Sequence, residues 1–226
     1  MGVKKIIIIV IVVLAPLYVF DILVRNWTIN KVEKTVKVAL PQSPSVSVTL
    51  GSHLFHRGTH KYVPIPILPK LFWEGKVSNV SIRVDGNLAV GQLPINDWIV
   101  NADAIKFKKN VLFDDKNPQI SEIDNGFLTM RASASALSAI LPDASVVIDG
   151  SANAKVRFQG KTSVLDIRAN NDQTLSMLAD GKEIAKINYA GSRYMPCKPT
   201  VHFISAQMLL SCSLTNVPDA LTAGVR

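Results

Sequence analysis

Cysteine is scarce in this 226-residue chain, which holds only Cys197 and Cys212. Neither stands near the apolar N-terminal run, so the lipid-modified cysteine of a bacterial lipoprotein is excluded, and no C-x-x-C pair is present. Also missing are G-x-S-x-G, H-E-x-x-H, a Walker loop and G-x-G-x-x-G, the spacings that set up a nucleophile, a zinc site, a phosphate cradle or a dinucleotide turn. We therefore expect no catalytic residue and no cofactor, and read the chain as a non-enzyme. Low-complexity tracts and blocks of like charge are lacking too, and with 48% hydrophobic residues the composition argues against disorder. Nothing marks a linker, so a single domain is expected after the first segment.

What is present begins with Lys4-Lys5 and the run Ile6 to Phe20, in which Tyr18 is the sole polar residue. As a helix this run spans about 22 Å, and continuing through Asp21 to Val24 brings it to roughly 28 Å, near a hydrocarbon core of about 30 Å. The small-residue pattern a signal peptidase needs is offered only at Val13-Leu14-Ala15, and Pro16 obstructs the cut. Residues 1–24 are expected to be an uncleaved signal anchor and residues 25–226 an exported domain. Charge does not orient the anchor, because Arg25, Lys31, Lys34 and Lys37 follow it as closely as Lys4 and Lys5 precede it. Export is favoured by the short basic segment before the apolar run and by the two cysteines, which flank an expected hairpin as a disulfide would. Two unpaired buried thiols are the alternative.

The formal net charge of +8 attracts anionic partners: phospholipid head groups, acidic glycans or nucleic acid. For a membrane-tethered exported domain, nucleic acid comes last. Anionic phospholipid at a cell membrane, with the C-terminal domain outside the cytoplasm, is the expected setting.

Along the chain, Ile22, Leu23, Trp27, Val32, Val36 and Leu40 recur at helical spacing, predicting an amphipathic helix that continues from the anchor and stops at Pro41 and Pro44. Ser45 to Leu50 alternates as a strand. Residues 51–70, with Pro64, Pro66 and Pro69, read as a surface loop or edge segment. Leu71-Phe72-Trp73 is an aromatic cluster, and Glu74-Gly75-Lys76 turns the chain into a strand over Val77 to Val84 that ends at Asp85-Gly86-Asn87. Further on, Ile105 and Phe107 face one way while Lys106 and Lys108 face the other. A strand interrupted at Asn125-Gly126 follows, then a short helix capped by Ser133 and stopped by Pro142. From Asp149-Gly150 onward, turn signals recur about every ten residues, predicting an antiparallel meander over Ser145 to Leu214 that closes with the Thr200–Ile204 and Gln207–Leu214 hairpin.

His53, His56 and His60 have ligand-like spacing, but no cysteine or carboxylate stands beside them, so they are expected to be solvated rather than metal-bound. His202 is expected to be packed within its strand. Asn26-Trp27-Thr28 and Asn79-Val80-Ser81 match the glycosylation pattern, a short signal that is frequent by chance. For Leu71-Phe72-Trp73, burial in the core competes with exposure as a membrane-facing lip.

Three stretches resemble the LmeA family of actinobacterial envelope proteins, the lipomannan elongation membrane protein A type. They are DILVRNWTINKVEKTVKVAL (residues 21–40), PILPKLFWEGKVSNVSIRVDG (66–86) and GFLTMRASASALSAILP (126–142), and the closing SLTNVPDAL (213–221) is also similar. The Pro- and His-rich residues 53–69 depart from the pattern. The resemblance implies an exported, membrane-tethered, non-catalytic protein that binds phospholipid and supports envelope glycolipid maturation, in company with envelope biosynthetic enzymes. It also implies an α+β fold, a curved and mostly antiparallel sheet packed on an amphipathic helix in the manner of tubular lipid-binding folds. Joined to the strand pattern, this gives an expected lipid site: Leu71, Phe72, Trp73, Ile105 and Phe107 against acyl chains, and Lys106, Lys108 and Lys109 at head groups. A scaffolding protein without a lipid cavity and an accessory enzyme on lipid-linked sugars are the competing readings.

Overall fold

The computed structural model describes residues 3–40, 45–51, 53–56, 61–64, 66–108, 120–141, 143–149, 153–158 and 160–222. Side chains are described from Leu14 onward, apart from those of residues 53–64 and of 39, 87, 153, 220 and 222. Helix α1, Val3–Ala39, opens the fold and passes the boundary expected between residues 24 and 25 without a break. The expected anchor falls largely outside the described side chains, and among the described residues no helix is long and apolar enough to cross a membrane.

The face that α1 buries is in part the one its apolar residues suggested, since Val32, Val36 and Leu40 face inward as expected, but its first half is turned. Asp21, Val24, Arg25, Thr28, Val32, Thr35, Val36 and Leu40 are buried, whereas Leu23 and Trp27 are exposed. The charged pair is turned inward because it has work there: Asp21 bonds the backbone of a second helix and Arg25 Nη1 donates to the Leu50 carbonyl at 2.9 Å. Thr28 and Thr35 satisfy their hydroxyls on the carbonyls of Val24 and Lys31 one turn back. Near the end of α1, Glu33 accepts from the Val48 amide at 3.1 Å, covering the open edge of the first strand.

That strand is β1, Ser45–Leu50, buried at every second residue as its alternation predicts. Within the stretch expected as a loop or edge segment, β2, His53–His56, and β3, Lys61–Pro64, pair as a small two-stranded sheet, with His53 opposite Pro64. His60 and the side chains of His53 and His56 lie outside the described residues. Helix α2, Leu68–Glu74, then leads into β4, Lys76–Val90, and β5, Leu93–Phe107. The expected strand end at Asp85-Gly86-Asn87 is a β-bulge: Asp85 pairs with Asp97 and Leu88 with Ile95, so one extra residue loops out and the strand goes on to a turn at Gly91. A left-handed Asn79, φ 52°, switches the buried face earlier in the same strand. Beyond residue 108, β6, Ile120–Asp124, and β7, Gly126–Ser133, both pair with β5. They break at Asn125-Gly126 as predicted, and a side chain on Gly126 would meet Ile123 and Leu214 at under 3 Å. Ser133 caps α3, Ala134–Ala139, accepting from the Ala136 amide at 3.2 Å.

The next five strands are β8, Ala144–Asp149; β9, Asn153–Phe158; β10, Lys161–Ala169; β11, Thr174–Ala179; and β12, Lys182–Asn188. They form a five-stranded sheet in sequence order, the predicted meander. The meander ends sooner than expected. Strands β13, Thr200–Ile204, and β14, Gln207–Leu214, cross back and join the first sheet, whose order is β1-β4-β5-β7-β14-β13 with β6 beside β5. The crossing segment is pinned by Trp98 Nε1 donating to the Tyr194 carbonyl at 2.8 Å and by the Cys197–Cys212 disulfide. His202 lies exposed on β13 rather than packed, since β13 is the outer strand of its sheet. A short α4, Asp219–Thr222, buries Leu221 near α1. All described strand pairs are antiparallel, and both sheets share one hydrophobic core that includes Trp98, Leu128, Met130, Val156 and Met177. The class is α+β, with two antiparallel sheets and a separate pair of strands in place of one continuous sheet.

Candidate functional site

Seven residues are too few for a helix to persist by itself, so α2 depends on its surroundings. Pro69 in its first turn lacks a donor that would have gone unpaired anyway, and the prolines that read as breakers are therefore compatible with a helix start. The N-cap residue, Ile67, has no capping side chain of its own. The cap comes from α1: Asp21 Oδ1 accepts the Ile67 and Leu68 amides at 2.8 and 2.6 Å. At the other end Gly75, φ 63°, adopts the left-handed conformation and returns its amide to the Leu71 carbonyl at 3.1 Å. Leu71 is the inward anchor, with none of its surface exposed.

With Leu71 turned in, Phe72 and Trp73 turn out, 46% and 78% exposed and packed edge to face at 5.2 Å between ring centroids. They face the exposed Leu14, Leu17 and Phe20 of α1 across a groove of about 760 Å³, with Leu68 and Pro69 along its side and Asp21 at its base. Almost all of its lining is apolar. Sequence reasoning named Phe72 and Trp73 and missed the α1 half. Both Phe20 and Leu17 fall within the stretch expected as the anchor; Leu17 stands one helical turn before Asp21, on the same side of α1.

The other expected site residues divide. Ile105 and Phe107 are 1% and 3% exposed and belong to the shared core, as Leu71 does. Lys106 is exposed on the opposite side of β5 and Lys108 is exposed just past its end, and Lys109 lies outside the described residues. The end of β5 does sit beside the aromatic pair, since the Phe107 amide donates to the Gly75 carbonyl at 2.9 Å. There Lys106 pairs with Glu122 at 3.7 Å, and Lys76 bonds Asp124, a contact that raises the lysine's pKa above its ordinary value. Lys70, unmentioned by the sequence reading, is exposed on α2 and donates to Ser78 Oγ at 3.3 Å. No group of metal-ligating side chains occurs among the described residues.

The site is thus an apolar trough between two helices on an α+β scaffold of antiparallel sheets. Comparison with protein-family models, with curated proteins and with solved structures found no match for the chain.

Proposed function

We propose that this is a membrane-anchored envelope protein that binds anionic phospholipid without catalysing a reaction, with its domain outside the cytoplasm and residues 1–24 as the anchor. The observation that carries this reading is the groove itself: its α1 wall, Leu14, Leu17 and Phe20, is the last part of the apolar N-terminal run, and its α2 wall offers exposed Phe and Trp, the residues suited to a membrane interface. Because Asp21 fixes α2 to α1, the aromatic pair is held beside the last turns of the anchor. An acyl chain entering the trough contributes about 0.8 kcal/mol per buried CH₂, and the exposed Lys70, Lys106 and Lys108 are the cations this reading assigns to head-group phosphates. A role in envelope glycolipid maturation, as the likeness to the LmeA family implies, and assembly with biosynthetic enzymes belong to the same proposal. So does the tubular arrangement of that resemblance, although the acyl site proposed here is the helical groove rather than the space between the sheets. The burial of Leu71, Ile105 and Phe107 favours a second reading, a scaffold whose apolar faces are simply core.

The test uses the full chain in nanodiscs containing phosphatidylglycerol with brominated acyl chains. Quenching of tryptophan emission that is lost in Trp73→Phe supports the lipid reading. Phe107→Ala should lower thermal stability and leave the quenching in place. If the quenching is the same with and without Trp73, and protein extracted from membranes carries no phospholipid, the scaffold reading replaces it.

A further inference from the structure

On the outward face of the first sheet, away from the core, two neighbouring rows of side chains cross β4, β5 and the β6–β7 junction. One row is Ser81, Asn101 and Phe127, joined by the pairings Ser81↔Asn101 and Asn101↔Phe127. The other is Asn79, Asp103 and Asn125, in which Asn125 Nδ2 donates to Asp103 Oδ2 at 2.8 Å. Together they line an open groove of about 410 Å³. Residues two apart on a strand stand about 7 Å apart and adjacent strands about 5 Å, so the grid measures roughly 7 by 10 Å.

Three properties of the grid limit what it can take. Its polar groups are three amides, one hydroxyl and one carboxylate, with no lysine or arginine in the lining, so it is not built for phosphate. Amides present donor and acceptor side by side, the complement of neighbouring hydroxyls, each of which both donates and accepts. Phe127 is 45% exposed on a strand in the middle of the sheet, offering an aromatic face beside the polar groups. Two of the asparagines, Asn79 and Asn125, stand at φ 52° and 45°, in the left-handed region that asparagine enters more readily than most residues. Both are aimed into this groove.

We infer that this face binds a neutral hexopyranose, with the ring's C–H face on Phe127 and its hydroxyls on Asp103 and the three amides. The inference is independent of the phospholipid reading, since the groove shares no residue with the α1–α2 trough. The sugar could belong to a soluble oligosaccharide or to a glycolipid head group.

The experiment is saturation-transfer NMR on the full chain in amine-oxide micelles, which carry no sugar head group. The probes are neutral glucose, mannose and galactose trisaccharides, the short-chain glycolipid octyl glucoside below its micellar concentration, and glucose 6-phosphate. Transfer to at least one trisaccharide is expected, falling about tenfold or more in Phe127→Ala and in Asp103→Asn while the melting temperature is kept. Transfer to octyl glucoside alone, lost in the same variants, would assign the site to a glycolipid head group. Asp103→Asn keeps the size of the side chain and decides the matter if Phe127→Ala fails to fold. The inference is overturned if no sugar shows transfer, if transfer persists in both folded variants, or if glucose 6-phosphate is preferred.

Discussion

Asp21 joins the anchor helix to the groove, and replacing it tests the architecture on which the lipid reading rests. Two effects combine in Asp21→Ala. The Ile67 and Leu68 amides lose their acceptor, comparable to deleting a helix cap at about 1 kcal/mol, and the buried Arg25 guanidinium loses its carboxylate. Removing one partner of a buried pair costs about 3 to 5 kcal/mol. At 3.9 Å the Asp21–Arg25 pair is loose, and Arg25 keeps its bond to Leu50, so the pair is set at the lower end, about 3 kcal/mol, and the total with the cap at about 4 kcal/mol. For a chain of this length that lowers the melting temperature by roughly 8 to 16 °C. Asp21→Asn keeps one acceptor oxygen for the α2 amides but not the charge facing Arg25, and should lose about 1 kcal/mol less. The assay is thermal unfolding of the full chain in detergent by circular dichroism, with tryptophan emission recorded in parallel. Loosening of α2 should shift the Trp73 component to the red before global unfolding. Equal melting of wild type and Asp21→Ala would refute the reasoning, because α2 would then be held by Leu71 alone.

Two further outcomes follow from the geometry. Reducing Cys197–Cys212, whose partners are 15 residues apart, should cost about 3 kcal/mol of stability and free two thiols for labelling; quantitative labelling of both in the unreduced, native protein would refute the pairing. Burial raises the Asp97 carboxyl above its ordinary value of 3.8 in spite of Arg131 and Arg83 beside it. The folded state therefore holds a proton that the unfolded chain has already released, and the contribution of Asp97 to stability falls as pH rises from 3.8 through the raised folded value. Denaturant titrations of wild type and Asp97→Asn across that window should show the difference moving in favour of the variant as pH rises, and a drift the other way would contradict the cause assigned to the shift.

Much of the fold could be read from local chemistry. The meander of β8 to β12 is punctuated by residues such as Gly160, Asn171 and Gly181, which accept turn conformations that others resist, and each strand pairs with its sequence neighbour. The α3 cap, the break at Asn125-Gly126 and the cysteine pair were legible for the same reason: a few consecutive residues, or one short loop, fix each of them. The alternation around Ile105 and Phe107 was legible too, but alternation says only that one face is apolar, not whether protein or lipid covers it. That was decided by the packing, which closes both residues into the core.

What only the tertiary structure decided depends on contacts between residues far apart. Helix α2 lay hidden among prolines because its cap is supplied 46 residues away by Asp21, and a one-dimensional pattern cannot show a cap from another helix. The inward turn of Asp21 and Arg25 ran against the apolar periodicity, since burying a charge is costly until partners such as the Ile67 amide and the Leu50 carbonyl are in place. Asp85-Gly86-Asn87 has the composition of a turn, yet pairing with β5 on both sides holds it in line as a bulge. The return of β13 and β14 to the first sheet, the groove between α1 and α2 and the two polar rows across β4, β5 and β7 arise in the same way. Sequence supplies the side chains along each strand and helix, and the register between distant elements determines which of them meet.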